Sequence, residues 1–265
     1  MSVIWKWGIT AAAILAAVTG IYFMSEGDSV KSKAEEKHSL HEAPHGSHEN
    51  RPGDRSEIKA SASYIEKTIQ IRLKDQEGKP YDHLEISHEK LMHVIVVSED
   101  LEQYRHIHPS KTGDGVYEAK QSLPDGSYKA FVDVKPKDSS YKVKPIPLKI
   151  GSSAEKKHDH LKPDERFVKK SSKFSAVMSP EKLSVHEPVT LAFSFDHGEP
   201  EPYLGAAGHV VILDEMGENY VHVHPKSQKE TKFETEFDEP GIYKIWAEFK
   251  FEGKVHVFPY TVEVK

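Results

Sequence analysis

Cysteine is absent from all 265 residues. That excludes disulfide staples, thiolate catalysis, thiolate zinc sites and an N-terminal cysteine lipid anchor. Excess positive charge is also missing. The formal net charge is -6 with histidines neutral, whereas a nucleic-acid partner usually demands a basic patch. Amphipathic helical segments of about 10–15 residues do not alternate with the strand-like ones, so a doubly wound α/β fold is not expected. A phosphate loop is absent, because Gly205 and Gly208 lack the surrounding pattern and a following Lys-Ser/Thr. No serine stands in a recognised nucleophile setting, and the chain is not expected to be an enzyme.

Histidine is abundant, with 17 in the chain, and part of it is repeated. The first copy reads His93-Val94-Ile95-Val96-Val97, then Tyr104-Arg105-His106-Ile107-His108-Pro109. The second reads His209-Val210-Val211-Ile212-Leu213, then Tyr220-Val221-His222-Val223-His224-Pro225. In both, the second histidine follows the first by 13 residues and the third follows it by 15. The repeat extends to a turn opening into an aromatic strand, Pro124-Asp125-Gly126-Ser127-Tyr128 and Glu239-Pro240-Gly241-Ile242-Tyr243.

Composition divides the chain into five parts. Residues 1–25 hold one apolar run, Trp7 to Met24, which is 18 residues without a formal charge. Trp5, Trp7 and Tyr22 flank it as interface anchors. It is at the short end for crossing roughly 30 Å of hydrocarbon, and it is read as an uncleaved transmembrane anchor, with a cleaved signal peptide as the rival. Residues 26–62 are rich in Ser, Glu, Lys and His and read as a disordered tether. Its His38, His41, His45 and His48 suit weak metal capture or a solvated spacer. Residues 63–151 and 172–265 each carry short alternating strand patterns punctuated by turns, as in a small β-sandwich. Residues 152–171 form a charged linker containing His158 and His160. The expected fold class is therefore all-β, with two tandem sandwiches after an N-terminal membrane helix.

Strand geometry gives the histidines a chemistry. Residues two apart point to the same face, so His106 projects with His108, and His222 with His224. An antiparallel return brings His93 or His209 across from its pair. Three imidazoles suit zinc, copper or nickel. His88, five residues before His93, lies in a loop that can swing toward the first site, and the second copy has no match for it. The second copy instead has His256 as a candidate fourth ligand. Met92 would favour monovalent copper as a thioether, but it should face away from His93 into the core. Glu99, Asp100, Asp214 and Glu215 follow the first-histidine strands, with no spacing that makes any one a base. The alternative is a structural lattice, with imidazoles bonded to backbone carbonyls or a carboxylate.

The stretches LMHVIVVSEDLEQYRHIHP and YLGAAGHVVILDEMGENYVHVHP resemble exported bacterial Ig-like domains associated with copper handling. The second unit, with its early MSPEKLSVHEPVTLAFSF, is also similar to YtkA-like domains. The resemblance covers much of residues 65–150 and 173–265. It implies immunoglobulin-like sandwiches on the extracytoplasmic side of a cell membrane. It further implies a metal-binding module, with copper the expected ion and zinc the alternative, and its pattern maps onto His93, His106, His108, His209, His222 and His224; His88 and His256 join these metal candidates from their own places in the chain. A membrane or cell-envelope protein is the expected partner. A non-enzymatic interaction module with structural histidines is the other functional reading.

Overall fold

The computed structural model describes residues 56–152, 160–223, 225, 227 and 229–265, and only the backbone of His222. The expected membrane anchor and most of the tether lie outside the described residues, as does His224. All regular structure among the described residues is β.

The first half contains ten strands. They are β1 (Lys59–Ile65), β2 (Thr68–Lys74), β3 (Leu84–Glu85), β4 (His93–Ser98), β5 (Tyr104–Ile107), β6 (Ser110–Gly113), β7 (Val116–Lys120), β8 (Gly126–Asp133), β9 (Lys135–Pro136) and β10 (Pro145–Ile150). The second half contains eight. They are β11 (Val168–Ser171), β12 (Phe174–Pro180), β13 (Val189–Phe195), β14 (His209–Asp214), β15 (Tyr220–Val223), β16 (Lys232–Thr235), β17 (Gly241–Phe251) and β18 (Lys254–Val264).

Each half is a two-layer sandwich. In the first, the sheet β1-β2-β7-β6 faces the sheet β10-β8-β4-β5, and Ile69, Ile71, Tyr117, Val94, Val96, Ala130 and Val132 fill the space between. In the second, β11-β12-β13-β16 faces β15-β14-β17-β18, around a core rich in Phe and Tyr. The expected Pro145 and Pro147 interruption falls in β10, an edge strand, where a missing N–H costs no ladder bond.

The sequence places the first boundary later than the structure does. β1 begins at Lys59, inside the segment read as tether. Its inward residues include Ala60 and Ala62, too small to give a clear alternating signal. Likewise β11 lies inside the expected linker as an exposed edge strand.

The two inner sheets also pack against each other. Along β4, Val94 and Val96 enter the first core, while Ile95 and Val97 join a third cluster. Along β14, Val210 and Ile212 enter the second core, while Val211 and Leu213 join that same third cluster. Leu101, Tyr104, Phe131 and Trp246 complete it. The four sheets therefore stack in series, and β4 and β14 are covered on both faces. This explains their uninterrupted apolar runs.

Contacts across the shared cluster come in reciprocal pairs. Tyr104 stacks on Trp246 with ring centroids 4.9 Å apart, and its counterpart Tyr220 stacks on Phe131 at 5.2 Å. Lys129 donates to Glu218 at 2.5 Å, and their counterparts Lys244 and Glu102 line one cavity. Such reciprocity is the mark of an isologous, two-fold-like interface, formed here within one chain.

Candidate metal centre

The two-fold-like packing brings the histidine ends of β4 and β14 to one place. Antiparallel pairing of β4 with β5 sets Val94 opposite Ile107 and Ile95 opposite His106. Continuing that register places His108 beside His93. The donor nitrogens of His93, His106 and His108 all lie within 4.8 Å of one another. His93 Nδ1 is 3.0 Å from His106 Nε2 and 3.2 Å from His108 Nε2.

Hydrogen bonds on the far sides of two rings fix their tautomers. His93 Nε2 lies 2.9 Å from the Ser87 carbonyl oxygen. A carbonyl only accepts, so Nε2 carries the proton and the neutral ring keeps its lone pair on Nδ1. His106 Nδ1 lies 2.6 Å from Glu248 Oε2. A carboxylate likewise accepts, so the neutral ring keeps its lone pair on Nε2. The 3.0 Å contact between His93 and His106 thus sets two lone pairs face to face. Such a contact needs a shared proton or a cation. An ion bound at about 2.0–2.1 Å by tetrahedral nitrogen ligands separates them by roughly 3.3 Å, close to the spacing found. The three residues therefore fit a borderline transition metal with one coordination position left over.

Glu248 comes from the second sandwich. β17 pairs with β14 so that Glu248 stands opposite His209, and its side chain and that of His106 are 4% and 1% exposed. A carboxylate on the outer nitrogen of a ligand histidine orients the ring and raises its basicity. Asp133 occupies the same place in the first sandwich, opposite His93, and accepts a hydrogen bond from Tyr220 at 3.3 Å. Burial, with Glu248 nearby, pushes the Tyr104 phenol well above its usual range, and burial with Asp133 does the same to Tyr220.

Two further imidazoles flank the triad. His209 donates from Nε2 to the Tyr203 carbonyl at 3.1 Å, the same brace that His93 makes six residues back. Its ring centroid is 6.0 Å from His106 and 6.3 Å from His93. His88 stands 5.8 Å from His209 and 6.2 Å from His93. His88 and Glu89 form a two-residue turn, closed by paired backbone bonds between Ser87 and Lys90, with φ values of 48° and 63°. The matching turn in the second sandwich is Leu204-Gly205, at 52° and 74°. Positive φ at both centres is the hairpin geometry that favours Asn-Gly. The first sandwich instead holds a histidine and a glutamate there.

The other sequence candidates that are described lie elsewhere. His256 is on β18, separated from β14 by β17, with its ring against Phe174 at 4.7 Å and Nδ1 3.3 Å from Ser171 Oγ. β15 carries the His222 backbone opposite Val211, but the His222 side chain and all of His224 lie outside the described residues. Met92 packs in the first core. Asp100 and Asp214 serve the turns at the other end of β4 and β14, where Asp100 accepts from Ser98 and Asp214 from Glu218 and Asn219. Glu215 accepts from the Leu161 backbone, and His160 contacts it from an exposed position.

Sequence reasoning missed Glu248 and Asp133. The available signal was an acidic residue inside an otherwise apolar strand, 40 residues after His93 in one copy and 39 after His209 in the other.

The chain belongs to the family described as a domain of unknown function, DUF8832, whose model matches residues 55–148 and 169–265. No curated protein matches it. Among solved structures it is similar to FdeC, an Escherichia coli adhesin, at 14% identity over 79% of this chain and 64% of that one, with a TM-score of 0.24. It is similar to a two-domain fibronectin type-III segment of chicken tenascin at 10% identity over 79% of this chain and 98% of that one, also at 0.24. The Yersinia pseudotuberculosis adhesin InvE gives 9% identity over 80% of this chain and 61% of that one, again at 0.24. The chain spans less than two thirds of either adhesin structure.

Proposed function

We propose that this chain is a non-enzymatic transition-metal-binding protein, held at the extracytoplasmic face of a membrane by residues 1–25. In this reading it carries two immunoglobulin-like sandwiches and buffers copper, or passes it to an envelope partner. Zinc is the alternative ion. The observation that carries it is the convergence of His93 Nδ1, His106 Nε2 and His108 Nε2, with hydrogen bonds on the outer nitrogens of His93 and His106 turning their lone pairs inward. Those three residues would hold the ion. The resemblance of both histidine stretches to copper-associated exported domains favours copper.

Competition titrations of the full chain with Cu(II), Cu(I) and Zn(II) test this, alongside a variant with His106 and His108 both changed to Ala. A saturable site that resists a weak chelator and disappears in the variant is expected. Equal uptake by both proteins would assign all binding to other histidines, such as those of residues 26–62, and would sink the reading.

One observation favours the structural alternative. His93 and His209 brace a backbone carbonyl six residues earlier in the same way. As a pure brace the first histidine needs no ion. The wild type would then lose no stability on metal removal, and the His106 and His108 double variant would keep partner binding.

A further inference from the structure

We propose that Glu248 is the positioning residue for the metal site, and that ion binding is thereby coupled to docking of the two sandwiches. The inference rests on the metal-binding reading and adds a regulation of the same site. All three ligands belong to the first sandwich, on β4, β5 and the residue after β5. The carboxylate that orients His106 belongs to β17 of the second. The strand carrying it also carries Trp246, which stacks on Tyr104 at 4.9 Å. Tyr104 is two residues before His106 on the same face of β5.

The coupling follows from the chemistry of one ring. A cation on His106 Nε2 draws electron density from the imidazole and makes Nδ1–H a stronger donor. Its bond to the Glu248 carboxylate tightens. By linkage, a docked Glu248 raises the affinity of the triad for the ion by the same factor. The cation also supplies the charge that a buried carboxylate needs among apolar neighbours. Glu248 is 3% exposed and lies beside the apolar cluster that joins the halves. Separating the sandwiches removes the carboxylate while leaving all three nitrogens on the first.

Two measurements on the full chain test the proposal. The first is amide hydrogen exchange of the wild type with and without Zn(II). Slowed exchange in β14 and β17 of the second sandwich is expected, although no triad ligand lies there. The second is Zn(II) affinity, by chelator competition, of Glu248→Gln. This isosteric amide still accepts from Nδ1–H but lacks the charge. An affinity about 10–100-fold weaker is expected, with the zinc-induced protection of β14 and β17 reduced. Unchanged exchange in the wild-type second sandwich, despite saturable zinc binding, would overturn the coupling and leave the metal reading standing. So would full affinity in Glu248→Gln. Failure of the wild type to take up any ion would remove both. The wild-type exchange experiment decides the matter even if the variant folds poorly.

Discussion

His106 faces two ways. Its Nδ1–H is committed to Glu248, and its Nε2 meets His93. Replacing it with Ala removes a ligand and leaves a buried carboxylate without its imidazole donor. Loss of one member of such a pair costs on the order of 3 kcal/mol. We predict that His106→Ala lowers urea stability by about that amount even without metal. Unchanged stability would mean that the Glu248 contact contributes little.

The tyrosines beside the carboxylates set a pH dependence. Tyr104 and Tyr220 are pushed above the ordinary phenol range by burial first, then by Glu248 and Asp133. Near pH 10 the unfolded chain sheds these protons while the folded chain retains them. The unfolded state then binds fewer protons, so stability falls as pH rises. The contribution is complete below about pH 10 and is lost progressively toward the raised folded values. We expect phenolate absorbance from these two residues to appear only with alkaline unfolding, and Tyr104→Phe to reduce the slope of stability against pH. Their titration at an ordinary value in the native protein would contradict the buried, stacked arrangement.

At the scale of elements, the sandwiches solve the same packing problem with different residues. Where the first has Met92 on β4's approach and Val134 after β8, the second has Gly208 and Phe249. A Cβ on Gly208 would stand 2.5 Å from the Phe249 ring and 2.7 Å from the Glu248 carbonyl oxygen. The aromatic ring occupies the space, and the backbone of the strand bearing Glu248 cannot give way cheaply. We predict that Gly208→Ala overpacks the site, destabilises the chain by about 1–3 kcal/mol, and weakens metal binding by moving Glu248. Full stability by thermal unfolding would contradict this. The turns at the other end show a similar exchange. Leu101 holds a φ of 55° where its counterpart Gly217 holds 61°, and a Cβ on Gly217 would lie 3.5 Å from Leu101. The leucine keeps an unfavourable backbone because its side chain fills the shared cluster.

Much of this was legible in the strand patterns. β2, β4, β8, β13, β14, β17 and β18 follow from alternation or apolar runs bounded by turns, and the duplication was visible in histidine spacing. The period of two also puts Met92 opposite to His93. What the pattern does not contain is the partner of each exposed-looking face. Ile95, Val97, Val211 and Leu213 read equally well as buried within one sandwich or between two. Glu248 remains hidden for the same reason, since its role depends on a contact between strands 142 residues apart in sequence.

For the whole molecule, the shared cluster makes the two sandwiches one packed body from Ile58 to Val264. Its members Ile95, Val97, Phe131, Val211, Leu213 and Trp246 are at most 2% exposed. Burial of this kind contributes roughly 1.5–3 kcal/mol per large side chain, so neither half should unfold while the other persists. We expect a single calorimetric transition for the described region, and its separation into two in Trp246→Ala. Two transitions in the wild type would show that the cluster does not couple the halves. The same packing means that the repeated histidine pattern builds one described centre, supported from both sandwiches.

The most direct test is the ion stoichiometry of the full chain, measured as the difference between the wild type and a variant with His93, His106 and His108 all replaced by Ala. The variant is predicted to lose one tightly bound ion per chain. A difference of zero would contradict the triad as a metal site.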